Sequence, residues 1–245
     1  MNRYRGNAIA VGILLIACTA TSILSAVPLG STLDGSDYLA QLAADDSRVI
    51  WTALIEFAWA ATGAGIAIAF YPVICRHHPA LALASVAGRV AEGMFVLIGT
   101  VSLLALLTVS QESLAPGADP AAFSATGDAL LAVRDWTMGF VGVLPFLAAA
   151  LMYYYVLYRT RLIPRWLSGW GLAGAALGLV AAVYCAYIQD FGLSTVNTVL
   201  NIPIFLQEMV LAVWLLVKGF TPSGADGNVG SIRSTDADRL TGRVG

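Results

Sequence analysis

Long uncharged stretches alternate with short polar ones along the chain, and the stretches are too long for strands. No charged residue falls in the 28 positions between Arg5 and Asp34. Glu56 to Arg76 encloses 19 uncharged positions, Glu92 to Glu112 another 19, Asp135 to Arg159 23, and Arg165 to Asp190 24. The 27 positions between Asp190 and Lys218 are interrupted by Glu208 alone. A helix needs about 20 apolar residues to cross ~30 Å of hydrocarbon, so each stretch predicts one transmembrane helix. The expected spans are 8–27, 50–74, 81–109, 129–157, 167–188 and 199–218. Ala, Leu and Gly dominate them without alternation, which excludes a β-barrel. The expected fold is all-α, a polytopic membrane protein with six transmembrane helices in one bundle over residues 1–220. The third stretch, from Pro79 to about Val109, is ~45 Å long as a helix and must tilt or protrude.

The polar segments carry weaker signals. In the first loop, residues 28–48, Ser36 or Asp37 can cap a short helix with Leu39, Leu42 and Ala43 on one face, expected on the membrane surface. In the second, residues 110–127, Asp119-Pro120 reads as a helix start that runs on into the fourth span. Residues 221–245 hold three acids and three bases without apolar periodicity, and are expected to form a disordered cytoplasmic tail.

Composition agrees with the pattern. Charged residues make up 11%, less than half of the ~25% usual in soluble domains. Hydrophobic residues make up 58% and the mean hydropathy is +0.78. These values exclude a soluble enzyme and a disordered chain. A net charge of -2 leaves no basic surface for nucleic acid.

Charge also predicts sidedness. Arg3, Arg5, Arg76, Arg159, Arg161, Arg165 and Lys218 fall in segments that six crossings place on one side. The opposite segments hold Asp34, Asp37, Asp45, Asp46, Glu112, Asp119 and Asp190, with Arg48 and Arg134 only at helix entrances. Short Lys- and Arg-rich loops stay cytoplasmic, so both termini are expected inside a bacterial cytoplasmic membrane. Tyr153, Tyr154, Tyr155, Tyr158, Trp166 and Trp170 on one side, and Trp51, Trp136, Tyr184 and Tyr187 on the other, are expected as interfacial belts. The apolar run after Arg5 continues past Cys18 to Val27, longer than a signal-peptide core, so α-helical anchoring is expected rather than cleavage.

Few side chains suggest chemistry. Cys18, Cys75 and Cys185 form no CxxC pair, and His77 and His78 are neighbours in one turn. No metal, haem or other cofactor is expected from them. The informative residues are ionisable groups inside the spans, which are costly in lipid and face a partner or water. Glu208 lies ten residues before Lys218, ~15 Å from the membrane surface. Asn197, Asn201 and Glu208 are spaced i, i+4, i+11, one polar stripe. Arg89 and Glu92 share a face of the third helix; Glu56 lies near one end of the second, and Arg134 and Asp135 near the same end of the fourth. These charges either pair across helices, as Glu56 with Arg134 or Arg89 with Glu92, or form a binding or proton-linked cluster. Gly174 and Gly178 form a small-xxx-small pair, which packs helices within the bundle or against another membrane protein.

Residues 87–93 read AGRVAEG, residues 162–171 LIPRWLSGWG, and residues 203–220 PIFLQEMVLAVWLLVKGF. In this order, on six helices, they resemble the bacterial membrane family of domain of unknown function 4386, over residues 5–220. The resemblance implies an integral membrane protein with no assigned activity or cofactor. It marks Arg89, Glu92, Pro164, Arg165 and Glu208 as motif positions without giving them roles. The expected function is binding or moving a proton, ion or small amphipathic ligand in the bilayer. The alternatives are a regulatory or structural subunit of another membrane protein, and, last, an acid–base enzyme acting on lipid through Glu208 or Glu92.

Overall fold

A computed structural model describes residues 4–221 except 27, 30, 31, 34 and 193. Arg3, Asp34 and the expected tail beyond Thr221 lie outside the described residues. The described residues form eight α-helices: α1 Arg5–Ala26, α2 Tyr38–Ala44, α3 Asp46–Ile74, α4 Pro79–Glu112, α5 Pro120–Trp136, α6 Val143–Thr160, α7 Arg165–Ile188 and α8 Thr195–Val217. A π-helical turn, Thr137–Val141, joins α5 to α6. With α5 and α6 counted as one, six helices are long and apolar enough to cross a membrane, and the chain is a multi-pass membrane protein.

The six crossings form a closed ring, in which α1 packs on α3, α3 on α4, α4 on α6, α6 on α7, α7 on α8, and α8 on α1. Short connections make successive crossings antiparallel. One face of the ring, the terminal face, carries both ends of the described chain and the α3–α4 and α6–α7 turns. The other, the loop face, carries α2 and the α4–α5 and α7–α8 connections. The ring closes at the terminal face. Arg5 Nη1 donates to the Leu215 carbonyl at 3.2 Å and Nη2 to the Leu216 carbonyl at 2.6 Å. A cation on the last carbonyls of a helix is favourable because they have no helical donor and carry the negative end of the dipole.

The terminal half of the ring is filled. Tyr153 stacks on Phe70 with ring centroids 5.2 Å apart. The Tyr154 hydroxyl donates to Gln207 Oε1 at 2.6 Å, and Gln207 Nε2 donates to the Leu167 carbonyl at 3.1 Å. Tyr153 and Tyr154 are therefore core residues, not part of the expected belt. Tyr155 and Tyr158, one turn round α6, are exposed as a belt requires. Four aromatics in six residues span more than a helix face, so some had to point inward. Gly174 and Gly178 serve the same packing. A Cβ on Gly174 would stand 2.9 Å from Ile204 Cα, and one on Gly178 2.9 Å from a Leu147 methyl. This small-residue face is occupied within the chain.

The 34-residue α4 is ~51 Å long, well beyond ~30 Å of hydrocarbon. Its excess lies at the loop face, where Leu103, Leu106 and Leu107 join a cluster with Leu29, Tyr38, Leu42 and Val49. The short helix expected on the membrane surface is α2, and its Tyr38 and Leu42 pack on the apolar face that the protruding end of α4 offers. Tyr38 donates to Asp128 of α5 at 2.9 Å. Burial, and then this hydrogen bond, push the Tyr38 hydroxyl from its usual 10.0 up to about 12. Asp119 caps α5 by accepting from Ala121 N at 3.0 Å. The π turn precedes Pro145, which has no N–H to give to the Val141 carbonyl, so the widened turn sits where the ladder is already interrupted.

Candidate functional site: a polar cavity in the ring

The loop-face half of the ring is hollow. A cavity of about 510 Å³ lies between α1, α3, α4, α6, α8 and the π turn, within the ~300–1,000 Å³ usual for small-molecule sites. Its ionisable lining residues are Arg89, Glu92, Glu208 and Cys18.

Arg89 organises the wall. Its Nε donates to the Gly63 carbonyl at 3.0 Å, and Nη2 lies 3.6 Å from Cys18 Sγ. Its guanidinium stands 4.8 Å over the Phe146 ring. It thereby ties α4 to α3, α1 and α6 while only 2% exposed. Gly63 permits this approach, because a Cβ there would stand 3.0 Å from Nη2. Glu92, three residues on and on the same face, brings Oε2 to 2.9 Å from Nη1. That contact is an ion pair without the direction of a hydrogen bond, so Oε2 keeps unused acceptor capacity at a residue 8% exposed.

Glu208 approaches from the opposite wall. It lies 13 residues into α8 and nine from its end, ~20 Å and ~14 Å along the axis. Glu208 is half-buried as a residue and lines the cavity. Among the described residues it has no hydrogen-bond donor and no cation within 4.0 Å, and Arg89 acts on it only at longer range. Asn197 and Asn201 line the same wall, so the stripe read from the spacing faces inward. Asn201 Nδ2 donates to the Asn197 carbonyl and Oδ1, each at 2.8 Å. Asn197 Nδ2 donates to the Gly192 carbonyl at 2.7 Å. Pro203 interrupts the ladder between Asn201 and Glu208, leaving the Val199 carbonyl without its helical donor.

Glu56 and Arg134 form a separate, closed unit. Glu56 is 0% exposed. Both its oxygens accept from Arg134, Nη2 to Oε1 and Nη1 to Oε2, the latter at 3.3 Å. The Thr100 hydroxyl adds a bond to Oε2 at 2.7 Å, and Arg134 also donates to the Gly99 carbonyl at 3.1 Å. This fork joins α3, α4 and α5 with no residue in the cavity lining. Asp135 is exposed on the last turn of α5 and does not line the cavity either. Of the eight expected residues the cavity thus gathers five: Glu208, Asn201, Asn197, Arg89 and Glu92.

Cys18, Trp59, Met138 and Phe146 are among the lining residues that the sequence pattern did not single out. For Trp59 a signal existed. Trp59, Gly63, Ile66 and Phe70 recur at i, i+4, i+7, i+11, the inward face of α3. Met138 sits in the π turn, whose phase no helical period describes. Among the described residues no three His, Cys, Asp or Glu side chains come together to hold a metal ion.

A family profile described as Domain of unknown function (DUF4386) matches residues 10–219. No curated protein and no solved structure matches the chain.

Proposed function

The chain belongs to the DUF4386 family, and we propose that it acts as a binding protein of the bacterial cytoplasmic membrane, taking an ion or small amphipathic ligand into the ring cavity. Glu208 carries the reading. A carboxylate near the middle of a crossing costs ~2.5–3.5 kcal/mol on insertion scales. Packing alone would be served better by an apolar side chain, yet Glu208 faces a hollow and has no close partner among the described residues. Arg89, Glu92 and the two asparagines give that hollow the few convergent polar groups that fix a ligand in an otherwise apolar site. The positive segments at the terminal face support cytoplasmic termini, which turns the cavity toward the exterior.

The test uses the purified chain with a ligand panel, reading binding by thermal shift and movement by flux in proteoliposomes. Binding by the wild type that Glu208→Gln abolishes without lowering the melting temperature is the expected result. Absence of both binding and flux across the panel rejects the proposal. Cysteine labelling of each terminus in intact cells checks the orientation.

A further inference from the structure

The charges and shape of the cavity narrow the ligand class, granting that the cavity binds a ligand at all. We infer that the ligand is a protonated amphipathic amine, its ammonium seated between Glu92 and Glu208 and its apolar part directed between α1 and α8.

Charge balance comes first. The cavity opposes two carboxylates with one guanidinium. Arg89 is committed: Nε serves Gly63, Nη1 faces Glu92 and Nη2 faces Cys18. An anionic ligand would meet two like charges before reaching a guanidinium that is 2% exposed. A neutral ligand would leave Glu208 to be neutralised by a proton instead of by a partner. A cation restores neutrality, and an ammonium brings three donors to Glu92 Oε2, which has no hydrogen-bond donor, and to the Glu208 carboxylate, which has no cation within 4.0 Å among the described residues. A small hard metal ion needs about six oxygen ligands and usually several carboxylates, whereas among the described residues no three His, Cys, Asp or Glu side chains come together to hold one.

Shape agrees. Trp59 and Phe146 line the cavity. Arg89 already uses the Phe146 ring, and Trp59 offers a further aromatic surface to a cation. Ile23, Ile202 and Phe205 line the cavity and are also exposed, which marks an opening between α1 and α8 on the loop-face side. At the terminal face the same two helices are closed by Arg5 and by Ala212 and Leu216 packed on Gly12. An amphiphile dissolved in the adjoining leaflet can slide in sideways, headgroup first, with its chain still in an apolar gap.

The experiment uses full-length protein in zwitterionic nanodiscs and three probes of equal chain length: a brominated alkylamine, alkanoate and alkanol. Bromine quenches indole at short range, and the quenching lost in Trp59→Phe isolates the cavity signal. The alkylamine should quench Trp59 saturably, and Glu208→Gln and Glu92→Gln should each weaken that binding ~10-fold or more, the worth of a charge-assisted contact. Glu208 has no close partner to lose, so its variant stays folded and keeps the comparison valid if Glu92→Gln does not. Equal or tighter saturable quenching by alkanoate or alkanol, or unchanged amine affinity in Glu208→Gln, overturns the amine assignment and leaves cavity binding standing. Saturable quenching by none of the three overturns both.

Discussion

Removing either partner of the Glu56–Arg134 fork should destabilise the protein unequally. Glu56 is 0% exposed, while the Arg134 side chain is 12% exposed. At an effective dielectric constant of about 20, unit charges at the 3.3 Å separation of Nη1 and Oε2 attract by ~5 kcal/mol before desolvation is charged against them. Arg134→Met leaves a fully enclosed carboxylate with the Thr100 hydroxyl alone, and an abandoned buried charge costs ~3–5 kcal/mol. Glu56→Gln leaves Arg134 its bond to Gly99 and a flexible stem able to reach the surface, so ~1–2 kcal/mol is expected. The double variant buries neither charge and should recover most of the Arg134→Met loss. Denaturant unfolding in detergent micelles, followed by circular dichroism, gives the four corners of the cycle. Equal single losses that simply add in the double variant would refute the reasoning, because they would mean that neither coupling nor unequal burial governs the site.

Three other outcomes follow from the same geometry. Tyr154→Phe strands the Gln207 carbonyl oxygen in the core and should cost ~1–3 kcal/mol, read as a lowered denaturation midpoint; a change under ~0.5 kcal/mol would count against the bond. Gly174→Leu should lower the melting temperature sharply by forcing α7 from the Ile204 backbone, whereas Gly6→Leu, where a Cβ meets nothing within 4 Å, should not. Tyr38 has a folded value near 12 against an ordinary 10.0. Its contribution is thus present below pH 10 and lost as pH rises toward 12, so α2 should loosen in that window; Tyr38→Phe should abolish this pH dependence in hydrogen exchange.

The crossings were legible because charge is scarce: Arg76 and Asp190 fall just past the ends of the helices Asp46–Ile74 and Arg165–Ile188. The stripe Asn197–Asn201–Glu208 was legible because polar residues at helical spacing in lipid must turn inward. The pairs suggested by position, Glu56 with Arg134 and Arg89 with Glu92, are the ones that form. What the sequence did not show was the bond from Arg89 to the Gly63 carbonyl, which depends on helix order and tilt. Tyr153 and Tyr154 were misplaced because interfacial and core tyrosines differ by partner, and Gln207 is 53 residues away. The cap of α2 on α4 was hidden for the same reason, since local pattern gives a helix its face but not the surface that face will meet.

The seam between α1 and α8 has a consequence for biogenesis. Arg5 and the Leu216 carbonyl it binds are separated by 211 residues. At about 5–20 residues per second, the first helix waits ~10–40 s for its last neighbour to leave the ribosome. Throughout that interval a guanidinium built to cap α8 has no helix end to hold, and the unfinished barrel of helices lies open along one side. Insertion machinery that shelters early segments until synthesis ends would matter more here than for a fold whose first and last helices never touch.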